Sequence, residues 1–148
     1  MDIKLVCRKE HIAQYTALLE KAGFTITEQA NLTFREDDFI AESFLGKSEA
    51  GVTVIPYQEV VSIEAFGSEV LLHTIDHQYE IKERLYEVIG LYEDRGFIRI
   101  NKSQIINKAM IRQIRPQLNS KFTLLMKNNQ LVDVTRSYLV TFKEIMGL

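Results

Sequence analysis

With 148 residues, 46% of them hydrophobic, and 18 Lys and Arg against 20 Asp and Glu, the chain can bury one good core, or a domain of about 100 residues plus a small appendage. No run of roughly 18 apolar residues is available to span a bilayer, and the opening Met1-Asp2-Ile3-Lys4 lacks a signal-peptide pattern, so a cytoplasmic protein that is not membrane-inserted is expected. Cys7 is the only cysteine, which excludes an intrachain disulfide framework and a cysteine cluster for zinc, and the near-balanced total hides a division: residues 97–148 carry nine Lys/Arg against two Asp/Glu, residues 1–96 nine against eighteen.

Ile3, Leu5 and Cys7 alternate as in a half-buried strand, which makes Cys7 a buried residue rather than a nucleophile. Ile12, Tyr15, Leu19 and Ala22 then share one face of a helix that Gly23 stops. Residues 24–26 and 32–34 read as short strands, and Glu36-Asp37-Asp38 as a turn before an apolar stretch over 39–45. Residues 1–45 are therefore expected to form a small β-α-β-β unit, too small for a confident core of its own and packed on the remainder of the chain.

From Val52 the strands are closely spaced, at 52–55, 60–66 and 70–75, with Pro56-Tyr57-Gln58-Glu59 and Gly67-Ser68-Glu69 between them. One helix interrupts, with Leu85, Val88, Ile89 and Tyr92 at helical spacing and an end at Gly96. Strands resume at 97–100, 111–114, 122–126 and 131–134, with Asn119-Ser120 and Asn128-Asn129 as turns. A closing helix completes the chain, with Thr135 as N-cap, Arg136 in its first turn, and Leu139, Phe142 and Met146 as its buried stripe. The predicted fold class is mainly β with few helices, α+β in kind.

Catalytic material is sparse. His73 and His77 stand four apart, but the alternation before them argues for a hairpin and fortuitous spacing. No serine has a nucleophile-elbow context, no Gly-rich phosphate loop is present, and Glu80, Glu83 and Glu87 read as a solvated stripe along a helix. No catalytic residue, metal site or cofactor is expected, and the chain is not read as an enzyme. The charge division points instead to a polyanion, because Lys and Arg that neutralise phosphates gain affinity from released counterions. Arg99, Lys102, Lys108, Lys121, Lys127 and Arg136 fall at the ends of apolar segments, as loop residues on a β scaffold would. No helix-turn-helix, zinc finger or basic zipper is visible, and Phe97, Phe122 and Phe142 fit core positions rather than a base-stacking platform. The competing reading is a non-catalytic protein- or ligand-binding module whose basic C-terminal half meets an acidic partner.

The segment Phe97-Ile98-Arg99-Ile100-Asn101-Lys102-Ser103-Gln104-Ile105-Ile106-Asn107 resembles the signature of LytTR-type DNA-binding domains, and Val134-Thr135-Arg136-Ser137-Tyr138-Leu139 resembles the family's closing element. Residues 55–67, with the pair Ile63-Glu64, and residues 78–85 are weaker matches in the expected order, so the likeness covers about residues 45–148. It implies an elongated β fold at 46–148 that binds duplex DNA through loops, and a homodimeric bacterial transcription regulator acting at paired direct repeats. Carried over by position, the DNA-binding residues are Ser68 and Glu69, Asn101, Lys102 and Ser103, and Arg136. Lys102 and Arg136 are suited to guanine O6 and N7, Lys121 or Lys127 to phosphate, and Asn107 to a structural turn. Departures from the family pattern leave the preferred bases open, and Glu69 would repel phosphate unless it accepts from cytosine N4. Residues 1–45 are too short for the receiver domain that many members carry, so the likeness is to short stand-alone regulators, some of which associate with a small membrane protein. That unit is read as a dimerisation or partner-binding element, or as an extension covering a sheet edge.

Overall fold

The structure, a computed structural model, describes residues 1–37 and 41–148. Strand β1 (Asp2–Val6) is the centre of a three-stranded parallel sheet, with β2 (Thr25–Ile26) on one side and β3 (Leu32–Arg35) on the other. Parallel neighbours need a crossover, and α1 (Ile12–Lys21) supplies it between β1 and β2. Of its expected stripe Leu19 is buried and Ile12 and Tyr15 are half-buried, whereas Ala22 is exposed at the helix end. Cys7 is buried just past the end of β1, and burial, then Glu36 and Glu10, push its thiol pKa up.

The turn and apolar stretch expected over 36–45 fall partly on residues 38–40, outside the described residues. Beyond them β4 (Ser43–Ser48) opens an antiparallel sheet with β5 (Gly51–Pro56), β6 (Ser62–Phe66), β7 (Glu69–His73) and β8 (Gln78–Ile81). The expected division at 45/46 falls inside β4. Helix α2 (Leu85–Tyr92) then leads to β9 (Phe97–Asn101) and β10 (Gln104–Asn107), which complete a seven-stranded order β5-β4-β8-β7-β6-β10-β9 among the described residues. A third, antiparallel sheet of β11 (Ile111–Pro116), β12 (Phe122–Met126) and β13 (Leu131–Val134) precedes α3 (Arg136–Met146).

Strand alternation gives the central sheet two apolar faces. Ile63, Val70, Leu72, Ile81, Phe97 and Ile105 pack with the α2 stripe Leu85, Val88, Ile89 and Tyr92, all four of which are buried. The neighbouring residues Val61, Ile98, Ile100 and Ile106 meet Leu124, Met126, Val132 and Val134 of the third sheet and Phe142 of α3. Each such side chain contributes about 1.5–3 kcal/mol by leaving water. Strands β9 and β10 supply residues to both clusters, so the turn between them is held from two sides. Gly46 admits β8 closely, since a Cβ there would lie 2.7 Å from Cβ of Tyr79.

Two expectations about titratable residues resolve differently. His73 and His77 flank a hairpin, in which the Thr74 N–H donates to the His77 carbonyl at 2.9 Å, as expected. Glu80, Glu83 and Glu87 do not share a helix face. Glu80 lies in β8, Glu83 in the turn before α2, and only Glu87 is helical, its carboxylate accepting from the Arg84 N–H at 3.1 Å. Glu83 is buried and ion-paired to Lys9, a partner 74 positions away that no local pattern reveals.

That pair belongs to a seam between the N-terminal unit and the α2 side of the remainder. Lys4 meets Glu93 at 3.0 Å, and Arg35 pairs with Asp94 and Glu28 with Arg99. The buried Ile3, Val6, Leu19 and Ala30 of the N-terminal unit join neither of the two large apolar clusters.

Candidate nucleic-acid interface

The hairpin from β9 to β10 turns through two residues, Lys102 and Ser103, both exposed. Asn101 builds the turn from below: its Oδ1 accepts from the Ser103 N–H at 2.9 Å and hydroxyl at 3.1 Å. Its Nδ2 donates to Oε1 of Gln104 at 2.8 Å and to the carbonyl of Asp133 at 3.0 Å, tying the hairpin to β13. With all its hydrogen-bonding groups engaged, Asn101 holds the loop and leaves Lys102 to project from it. Arg99 braces the same turn from behind. Its Nη2 donates to the Lys102 carbonyl at 2.6 Å and its Nε to the Asn101 carbonyl at 3.3 Å, while Nη1 engages Glu28 of the N-terminal unit.

The hairpin between β6 and β7 stands beside this turn. Ala65 N–H donates to the Ser103 carbonyl at 2.8 Å, and Nε2 of Gln104 to Oε2 of Glu64 at 3.2 Å. Gly67 takes φ 62°, as the two-residue turn requires, and leaves Ser68 and Glu69 exposed. Phe66, just before it, is 70% exposed. The third element is the start of α3, where the Thr135 N–H donates to the Ile100 carbonyl at 2.9 Å. Thr135 is the N-cap by position, but its hydroxyl makes no capping bond. Arg136 is exposed in the first turn, where the helix dipole disfavours a cation unless an anion is near. Residues 101–104 and the Thr135 side of this helix line a shallow groove of about 580 Å³.

All three expected loops thus lie at one end of the molecule, and the six expected basic residues do not. Lys108 N–H bonds the Gly96 carbonyl and Lys127 N–H the Met110 carbonyl, each at 2.9 Å, which puts both at the start of β9, the end away from the Lys102 turn. That separation is about 13 Å along the strand. Lys121 lies at the Lys102 end but pairs with Asp133 at 3.3 Å. Arg99 is not a loop residue; it lies within β9 with only 22% of its side chain exposed. Asn107 is structural, as expected: it is buried, donates to the Val60 carbonyl at 3.0 Å and accepts from the Ala109 N–H at 3.1 Å. The bracing role of Arg99 and the bare ring of Phe66 are not apparent from the sequence. An Arg three positions before a turn residue is its one local sign, and Glu28 is far upstream.

Among the described residues no cluster of three or more His, Cys, Asp or Glu could hold a metal, and no helix is long and apolar enough to cross a membrane. A family model described as the LytTr DNA-binding domain matches residues 50–147. A solved LytTr DNA-binding domain from Bacillus cereus superposes with a TM-score of 0.70 and 28% identity, covering 73% of this chain and 99% of that one. The sensory transduction protein LytT of Bacillus subtilis is 25% identical over 97 residues, and the transcriptional regulatory protein LytR of Staphylococcus aureus 28% over the same length. These matches cover 66% of this chain and only 40% and 39% of those proteins.

Proposed function

The chain belongs to the LytTr DNA-binding domain family, and on that premise we propose that it is a cytoplasmic bacterial transcription regulator that reads duplex promoter DNA through loop side chains set into the grooves. Its role is binding, not catalysis. The observation that carries the reading is the convergence of the Lys102 turn, the Ser68-Glu69 hairpin tip and the Arg136 helix start at one end of the sheet system. Lys102 and Arg136 are carried by backbone already ordered as a tight turn and a helix end, so binding has to order only their side chains. Ser103 and Asn101 fix the turn, and Ser68 can bond phosphate. Glu69, beside them, selects against a phosphate and for a donor such as cytosine N4.

Binding as a homodimer on direct repeats is part of the proposal. It has support from the hairpin of β4 and β5 at the sheet edge, where Leu45, Val52 and Val54 are exposed together. Along the chain we take β4 onward as the DNA-binding unit and residues 1–37 as a separate partner-facing unit, open to a second copy or to a small membrane-protein regulator.

Selection of bound genomic fragments followed by sequencing tests the reading. The expected result is an enriched motif in two copies at fixed spacing. Salt-sensitive binding with no enriched motif would refute sequence-specific reading and favour a module that meets an acidic protein partner.

A further inference from the structure

The seam between the N-terminal unit and α2 encloses a cavity of about 480 Å³, a volume in the range of small-ligand sites, which favour such junctions between units. Leu5, Ile12, Ile26 and Leu91 give it an apolar body. Gly90 keeps its floor low, since a Cβ there would sit 3.2 Å from the Leu5 carbonyl. Two carboxylates, Glu28 and Glu87, stand in the wall against one ammonium, Lys4, which Glu93 already holds at 3.0 Å. Glu28 spends one oxygen on Arg99, and its Oε2 is buried with no partner. The cavity continues between α1 and α2 into a groove that shares Ile12, Thr16, Tyr86 and Glu87 and adds Lys9 and Glu20.

We propose that this cavity binds a small organic cation, a primary amine on a short hydrocarbon or aryl body, and that its occupancy is transmitted to the Lys102 turn through Glu28 and Arg99. The apolar walls take the body, and the two carboxylates that line the cavity, Glu87 and Glu28, take the ammonium, because a desolvated cation needs such partners. Arg99 connects the site to the DNA-facing end: the guanidinium that binds Glu28 is the one that holds the Lys102 and Asn101 carbonyls. Oε2 of Glu28 has no surface open to the cavity, so an ammonium engages Glu28 only by drawing its carboxylate away from Arg99, which loosens the brace. The ligand therefore favours the unbraced turn and weakens DNA binding, and by linkage DNA weakens the ligand to the same degree. The transmission rests on the DNA-reading role proposed above, whereas the binding site does not.

The full chain is titrated with phenethylamine, and with 2-phenylethanol as its neutral match, by thermal shift and by amide chemical shifts. The expected result is stabilisation by the amine at about tenfold lower concentration than by the alcohol, with shifts centred on Thr27, Tyr86 and Gly90. Glu28→Gln should erase that preference, and Thr16→Phe, which fills the mouth, should abolish binding of both. No binding of either compound, or shifts confined elsewhere, would overturn the site even if a variant failed to fold. Equal binding of the alcohol would overturn the cation. In a second arm the amine should weaken binding to a selected DNA motif about fivefold in wild type and leave Thr16→Phe unaffected. Amine binding with unchanged DNA affinity would overturn the transmission, and absence of any selected motif would instead count against the DNA reading.

Discussion

In an Arg99→Ala variant the Lys102 turn loses a 2.6 Å bond to the Lys102 carbonyl, a 3.3 Å bond to the Asn101 carbonyl and its tie to Glu28. A bond from a charged donor contributes about 1.5–3 kcal/mol net, and the longer one, past the usual range, contributes little. Asn101 still holds the Ser103 N–H at 2.9 Å, so the turn loosens without melting. Re-ordering about one backbone residue on DNA then costs roughly 1–2 kcal/mol, an expected loss of about 5- to 30-fold in affinity for the selected motif. The salt dependence should not change, because the Arg99 charge is already met by Glu28 and releases no counterion. Fluorescence anisotropy of a labelled duplex across a salt series reads both quantities. A slope reduced by about one unit would mean that Arg99 contacts phosphate itself, and an unchanged affinity would mean that the brace does nothing; either refutes the reasoning.

Lys102→Ala and Arg136→Ala should each lose about 1–3 kcal/mol of specific binding with the fold intact, and unchanged affinity and selectivity in both would remove the loop assignment. Lys102→Ala should lower the salt slope by about one unit if its ammonium also meets phosphate, whereas Lys127→Ala, at the far end of β9, should leave it unaltered. Asn107→Ala strands the Val60 carbonyl and the Ala109 N–H, each at about 1–3 kcal/mol. Urea denaturation should therefore show a loss of about 2–6 kcal/mol, while motif preference stays the same. The Glu36 carboxyl is held below its ordinary value of 4.5, chiefly by the Arg8 backbone N–H at 2.8 Å, with His11 and the Arg8 side chain also contributing. A lowered carboxylate pKa gives stability that is complete above the unfolded value and lost as pH falls through the folded one. Melting temperature should thus fall below about pH 4.5 in wild type and fall less steeply in Glu36→Gln. Identical pH profiles would refute it.

Periodicity in the sequence reached most of the fold because the core is built by local alternation. Leu85, Val88, Ile89 and Tyr92 recur at helical spacing, and all four are buried. The strands of the third sheet pair with their chain neighbours, so apolar runs and the turns at Ser120 and Asn129, both with positive φ, locate them. Long-range pairing was not legible. Nothing near Glu83 announces Lys9, so three glutamates at spacings of three and four imitate a solvated helix stripe. The central place of β1 in a parallel sheet and the order of the seven-stranded sheet likewise depend on contacts between distant segments. At the end proposed to face DNA the turns were legible from their residues, and their shared location rests on the β6–β10 pairing and the Asn101 bond to Asp133.

The seam has a consequence for how the molecule comes apart. Among the described residues, 1–37 share neither large apolar cluster with the remainder and meet it where β1 passes close to Gly90 of α2 and through the pairs Lys4–Glu93, Lys9–Glu83, Arg35–Asp94 and Glu28–Arg99 around a cavity. Several of these side chains are partly in solvent, where ion pairs are weak and screened by salt. Opening at this joint costs less than disrupting either cluster, so amide hydrogens of β1 and β3 should exchange through a sub-global event while those of β9 and β10 await global unfolding. Raising the ionic strength should widen the gap between the two events, and a single unfolding free energy for the whole chain would then average two separate transitions.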